Sequence, residues 1–512
     1  MDSVFDWLAY YAEFDPDRLA AVDLSTRRWL TYRQFNDRAT RLATALLERF
    51  GVGHGDRVGF LARNSTDHFE TMFACWKLGA IFVPMNWRLA PQETAAILEH
   101  CEPRVVLHDA EFESQLALAC TPTVPRVPGH AACGYELLIA AHQPHVLMEN
   151  VDFDTINLLL YTSGTTGRPK GVIYTHRMTN NIVVHAALHA RVRAGTRTLT
   201  YSPLFHAAGL NAVAMPQFHY GGAVLVMKTF EPRECLRLLM DPDMKITHTV
   251  GVPTTYALMS QLREFATATF PTLEVAGVGA APVPLNLLET WAERGQVLSQ
   301  SFGMTEAFSV SFTPPDKARE QIGSAGHPLM HVKVQIGDDH GCELARGAIG
   351  EIQVCGPGVT PGYWHDPEAT AAAFTVNGWF RTGDAGRMTE QGTIFVVDRI
   401  KDMFISGGEN VYPAEIEDVI ASLDEVSQCA VIGVPDERWG EVGLALVVRR
   451  AGHAVDADRI IDLCRARLAR YKVPRDVHFV DALPLSPQGK VLKKELRKFY
   501  REAGGYPPSK VA

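Results

Sequence analysis

Apolar side chains recur every three or four residues over 35–50, where Phe35, Ala39, Leu42, Leu46 and Phe50 share one helical face. Thr31 followed by Gln34 has capping-box spacing, so this helix begins there, and Gly51 supplies the left-handed residue that ends it. Residues 67–78 read as a second amphipathic helix, closed by Gly79. Short apolar runs over 57–61, 81–85 and 156–161 read as buried strands. The alternation continues with a helix over 176–191 and strands over 198–202, 223–227 and 275–278. Such alternation predicts a largely parallel sheet with helices on its faces.

From about residue 323 to 397 the pattern shifts to short strands such as 351–354 and 393–397, separated by Gly and Pro. It shifts again beyond 398–402, with helices over 414–423 and 457–471 and strands over 429–434, 444–449 and 477–480. The expected fold is α/β: a large N-terminal domain over 1–400 with a β-rich subdomain near 323–397, then a small α+β C-terminal domain over 401–512. At the start of the chain, Phe5, Leu8 and Tyr11 are expected to pack on the body.

A chain of 512 residues, 46% hydrophobic and 21% charged, is too long for one core and ordinary for a soluble globular protein. Its net charge of −9 comes without a basic stripe, which argues against nucleic-acid binding. Nine cysteines with no CxxC pair favour a reducing compartment and give no zinc signature. Acidic residues stand where a signal peptide would carry bases, no apolar run reaches membrane-span length, and the ending SKVA is not the peroxisomal tripeptide. A cytoplasmic protein is expected.

The densest chemistry lies in YTSGTTGRPKGV, 161–172. Thr162, Ser163, Thr165 and Thr166 surround Gly164 and Gly167, and Lys170 follows. Glycines let backbone amides approach phosphate oxygens, the amides form an anion-binding concavity, and the lysine adds a point charge. The spacing differs from the common nucleotide loop, which needs four residues between its glycines and then Lys-Ser or Lys-Thr.

The segment resembles the phosphate-loop signature of the adenylate-forming superfamily, which contains acyl-CoA synthetases, luciferases and peptide-synthetase adenylation domains. The resemblance runs from about residue 31 to 496, with motifs in family order. It implies that QSFGMTE, 300–306, places Ser301, Phe302, Gly303, Met304 and Thr305 about the nucleotide, with Phe302 replacing the family's usual Tyr. Glu306 then offers a hard oxygen to Mg2+. It likewise implies that Asp384 of GWFRTGD and Arg399 of VDRIKD hold the ribose, and that Gly279, Ala280 and Ala281 of VGAAP lie against adenine. Gly407 and Gly408 of ISGGENVYPAEIE would line a pantetheine tunnel, and Lys490 of PLSPQGK would reach the reacting carboxylate and α-phosphate. His206 of PLFHAAGL would border the acyl pocket, and Lys401 would be the hinge of a mobile C-terminal domain.

The activity implied is that of an acyl-CoA synthetase of fatty-acid and lipid metabolism using ATP, Mg2+ and CoA, with a homodimer as the possible assembly. The stretch 206–215 carries no acid and is small and apolar, which favours a neutral fatty or aryl acid over an amino acid. A ligase that loads a carrier protein, a luciferase-like oxygenase and a non-catalytic nucleotide sensor are the alternatives.

Overall fold

The structure, a computed structural model, describes residues 4–119, 124–129, 134–145, 148, 151–163, 169–281, 283–407, 409–485 and 491–502. The capping box forms: Thr31 Oγ1 accepts from Gln34 N at 3.4 Å, and Gln34 Oε1 accepts from Thr31 N at 2.9 Å. The helix Tyr32–Phe50 ends at Gly51 with φ 63°. Strand Arg57–Leu61 follows, and the run at 81 forms Ile81–Pro84.

The alternation builds two sheets. In the nine-stranded sheet the parallel order is Leu298–Phe302, Val275–Gly279, His248–Gly251, Arg197–Thr200, Ala223–Val226 and Leu19–Asp23, with antiparallel strands at both edges. The six-stranded sheet has five parallel strands and one antiparallel return, Pro169–Thr175, absent from the sequence-level expectation.

Helix Thr66–Lys77 departs from the expectation of an amphipathic helix over 67–78, since it has no polar face in water: every one of its residues is buried. It touches strands of both sheets as well as helix Tyr32–Phe50, so it has no water-facing side. Its polar residues are paired instead: Asp67 with Arg28, Glu70 with Arg38 at 2.8 Å, and Lys77 with Asp6 at 2.5 Å. One apolar core, including Val58, Phe82, Phe218 and Val224, runs through this interface. At the N-terminus Leu8 is buried and Tyr11 packs on the body, but Phe5 is 68% exposed. The helix beside it, Trp7–Phe14, turns Trp7 and Leu8 inward, and Phe5 precedes that helix.

Strands Lys333–Gly337, Gly350–Cys355, Phe380–Met388 and Ile394–Arg399 form a separate antiparallel sheet. Beyond it, strands Phe404–Ser406, Glu409–Val411, Val426–Asp436, Gly440–Arg449 and Asp476–Phe479 form a last sheet. Its two apolar clusters, around Phe404 and Val431 on one face and Ile432 and Leu446 on the other, draw only on residues from 404 onward.

Candidate active site

Strands Ile156–Ser163 and Pro169–Thr175 pair antiparallel, with Thr162 opposite Lys170 and Ser163 opposite Pro169. The expected phosphate loop falls in sequence between these two strands; its Gly164, Thr165, Thr166 and Gly167 lie outside the described residues. Thr162 and Lys170 line a cleft of about 740 Å³. Lys170 Nζ stands 4.8 Å above the centre of the Tyr363 ring, a cation–π distance. The Tyr363 hydroxyl donates to Glu306 Oε1 at 2.9 Å. Burial, with the Glu306 charge added, pushes the Tyr363 phenol up, so it stays a donor at neutral pH.

The facing wall comes from the carboxyl ends of strands Val275–Gly279 and Leu298–Phe302, the usual ligand crevice of such sheets. Gly279, Ala280, Ser301, Phe302, Gly303, Met304, Thr305 and Glu306 all line the cleft. A Cβ on Gly279 would lie 2.5 Å from Ser301 Oγ, and one on Gly303 would lie 2.6 Å from Ser309 N, so neither position admits a side chain. Ala280 holds φ 67°, a conformation costly for a residue with a Cβ. Ala281 is half-buried beside this wall and does not line the cleft. Tyr174 donates its hydroxyl to the Thr305 carbonyl, and Thr360 N donates to Glu306 O at 2.7 Å, which fixes the main chain under Glu306.

Asp384 and Arg399 are register partners on neighbouring strands and form an ion pair, Nε to Oδ1 2.6 Å. Arg399 lines the cleft; Asp384 is buried behind it. Lys401 and Asp402 continue the lining on the turn Ile400–Asp402. This turn is tied to the last helix by Arg497, whose Nη1 lies 2.9 Å from Asp402 Oδ1. Asp398 accepts from Ala414 N at 2.8 Å, and burial pushes its carboxyl up against the opposing pull of Lys493.

Gly407 sits with φ 61° between strands Phe404–Ser406 and Glu409–Val411, outside the lining of this cleft. A Cβ there would lie 2.5 Å from the Trp439 ring, so Trp439 covers that backbone. Gly408 and Lys490 lie outside the described residues.

His206 lines the cleft at the head of a helical stretch running through Ala207–Gly209, a π-helical turn Leu210–Ala214, and Met215–Tyr220. The Phe205 and His206 ring centres are 4.4 Å apart. Ala207, Ala208, Gly209 and Ala212 face the cleft, while Leu210 turns into the core. The small-residue pocket thus uses one face of 206–215 rather than all of it. From Gly251 and Gly279 the lining continues to His248 and Val275 at the other ends of the same strands, about 10 and 13 Å away at 3.3 Å per residue. Burial lowers the His248 pKa, so that end of the cleft is uncharged.

Among the described residues, the cleft is lined by two carboxylates, Glu306 and Asp402, against six cations, including Lys170, Arg88 and Lys228. That imbalance draws in anions. Among the described residues no three His, Cys, Asp or Glu side chains gather to hold a metal. One carboxylate facing a triphosphate is nevertheless how Mg2+ is commonly held, with the remaining ligands from phosphate and water. Tyr363, Arg88 and Lys228 were absent from the sequence-level site. Tyr363 carried one usable signal, an aromatic pair with Trp364 directly after Gly362 in a Gly- and Pro-rich stretch.

The AMP-binding enzyme family matches residues 8–364, and the AMP-binding enzyme C-terminal domain matches residues 415–490. A feruloyl-CoA synthase of an Amycolatopsis species is 40% identical over 471 residues, 92% of this chain and 94% of its own. An indoleacetate–CoA ligase of Aromatoleum aromaticum is 37% identical over 502 residues, 96% of this chain and 97% of its own. ATP-bound MatB from Rhodopseudomonas palustris matches with a TM-score of 0.91 at 30% identity, over 97% of this chain and 99% of its own.

Proposed function

The chain belongs to the AMP-binding enzyme family, and from that premise we propose that it is an AMP-forming acyl-CoA synthetase, an acid–thiol ligase using ATP, Mg2+ and CoA. In the first step a carboxylate oxygen of the acid attacks the α-phosphorus, the bond to the β-phosphate breaks, and pyrophosphate leaves. In the second the CoA sulfur attacks the acyl carbon and AMP leaves. The named relatives are CoA ligases, which does not favour the carrier-protein alternative.

One observation carries the assignment of roles: Lys170 and Glu306, distant in sequence, meet in one cleft on either side of Tyr363. In this proposal the Ser/Thr/Gly loop over 162–167 and Lys170 hold the β- and γ-phosphates. Glu306 holds Mg2+, whose charge offsets that of the triphosphate. Asp384 and Arg399 take the ribose, Gly279, Ala280 and Phe302 the adenine, and Lys490 the oxygens joined in the first step. His206 stands at the carboxylate end of the acid. Most of the rate then comes from positioning and preorganised charge rather than covalent work by the protein.

For the acid itself, the arm past Ala207, Gly209 and Ala212 suits an aryl or medium-chain fatty acid. Each buried methylene adds about 0.8 kcal/mol, so neighbouring chain lengths differ modestly. The domains proposed are 1–400 for AMP binding and 401–512 as the mobile partner hinged at Lys401. A cytoplasmic setting suits the seven described cysteines, all free thiols. The test is a panel of aryl, fatty, amino and dicarboxylic acids with ATP and CoA, read by mass spectrometry. Acyl-CoA from an aryl or fatty acid is expected; a clear preference for an amino or dicarboxylic acid overturns the acid assignment.

A further inference from the structure

We infer that Tyr363 is a positioning residue for magnesium-nucleotide binding, holding the Glu306 carboxylate through its hydroxyl and the Lys170 ammonium through its ring. The inference rests on the roles proposed above for Glu306 and Lys170. Its geometric basis is a short bracket of chain. Segment 359–364 begins against the Glu306 loop, where Ala307 pairs with Val359 and Thr360 N donates to Glu306 O at 2.7 Å. It ends against the hairpin strand that carries Lys170, where Val172 pairs with Tyr363 and Trp364 N donates to Gly171 O at 2.7 Å. Between these anchors Thr360 Oγ1 donates to Ile173 O at 2.7 Å, and Ile173 N donates to Gly362 O at 3.1 Å. Gly362 holds φ 147°, and a Cβ there would lie 2.5 Å from Thr370 Cγ2, so the backbone just before Tyr363 is confined. Tyr363 N donates to Thr370 Oγ1 at 2.9 Å.

The side chain uses this rigid mount in two directions. Its hydroxyl engages Glu306 Oε1, which fixes the carboxylate's orientation and leaves Oε2 for a cation. Its ring gives Lys170 a face to rest on, 4.8 Å away, without a carboxylate that would compete with phosphate for the ammonium. A carboxylate held in one rotamer loses less freedom when it takes up Mg2+, which is the gain from preorganisation.

The test compares Tyr363→Phe and Tyr363→Leu with the unaltered protein, measuring ATP affinity by titration calorimetry with and without Mg2+. Tyr363→Phe keeps the ring and loses the hydroxyl. Affinity for ATP with Mg2+ is expected to fall about tenfold, the worth of one hydrogen bond to a charged group, and affinity without Mg2+ to stay unchanged. Tyr363→Leu also removes the platform for Lys170 and is expected to weaken binding in both conditions. In a Glu306→Gln background Tyr363→Phe should have no further effect, because the group it orients is altered already. Equal losses with and without Mg2+ for Tyr363→Phe, an unchanged affinity in both, or a full tenfold loss in the Glu306→Gln background would each overturn the inference. Failure of the ligase reading would appear elsewhere, as unaltered protein that binds ATP yet makes no acyl-CoA.

Discussion

Two ion-pair networks hold this molecule together, one around the fully buried Glu70 and one at a part-exposed seam. Between the large sheets, Arg28 and Arg38 share Asp67, Glu70 and Glu136, with Tyr135 donating to Glu70 at 3.0 Å. Arg38 meets Glu70 through both Nε and Nη2, at 2.8 and 3.0 Å, so the geometry is locked. At the seam before the last sheet, Asp398, Asp402, Glu417 and Asp418 are served by Lys493 and Arg497. Here four carboxylates face two cations, against three for two in the first network, and burial pushes the Asp398 and Asp418 carboxyls up, with Asp402 adding to the first shift and Asp398 and Glu415 to the second. The first network closes an interior that has to stay shut. The second joins two cores that share no apolar cluster, across a turn that also lines the cleft. The proposed hinge motion would remake this join, and breaking it exposes no continuous core.

The sharpest way to break the comparison is to lock the seam. Lys401→Pro fixes φ near −65° and removes a backbone donor. Pyrophosphate release is expected to stay near normal while thioester formation is nearly abolished, and timing the two half-reactions separately checks it. Thioester formation at the unaltered rate would place the hinge elsewhere. In the first network, Glu70→Ala removes a fully buried carboxylate, leaves two half-buried guanidinia short of a partner, and is expected to cost about 3 kcal/mol in urea unfolding. Arg497→Ala at the partly wet seam should cost about 1 kcal/mol or less. Comparable losses from the two changes would erase the distinction between the networks.

Lys490→Ala tests the seam's function rather than its strength. It is expected to slow the first half-reaction on the order of a hundredfold, about 2.7 kcal/mol, as for loss of an oxyanion donor. Thioester formation from supplied acyl-adenylate should fall much less. Equal losses in both steps would make the residue structural.

Much of the fold was legible because helices and strands carried their own punctuation. Thr31, Gln34 and Gly51 bound the helix that the structure contains. Residues 66–77 misled because periodicity counts polar side chains as wet, whereas Asp67, Glu70 and Lys77 are buried against Arg28, Arg38 and Asp6. In the site, Lys170 was recognisable from the chemistry of its loop, and Glu306 through the resemblance of its motif. Tyr363 was not, because its meaning lies in two partners from distant segments. Gly407 was legible only as part of a motif, and its cover by Trp439 depends on the packing of strands far along the chain.

The smallest effect expected is a difference in pH response. For Asp398, whose pKa is raised in the fold, the folded state holds the proton more tightly. Stability at the seam therefore falls as pH rises from the ordinary carboxylate value, near 4, through its raised one. For Glu136, burial pushes the pKa up but Arg38 and Arg28 outweigh it and hold it down. Its contribution is present above the ordinary value and is lost as pH falls through the lowered one. Hydrogen exchange between pH 4 and 7 should then show helix Pro413–Ala421 loosening with rising pH, while helix Thr66–Lys77 does not. Parallel responses would contradict the sign assigned to the seam.

The account stands on a carboxylate oxygen joining the α-phosphorus of ATP, and an oxygen label follows that bond directly. The acid preferred in the panel is prepared with 18O at both carboxylate positions and turned over with ATP, Mg2+ and CoA. The account predicts AMP carrying one 18O, acyl-CoA retaining the other, and unlabelled pyrophosphate. Label in orthophosphate, with ADP as the nucleotide product, would contradict it.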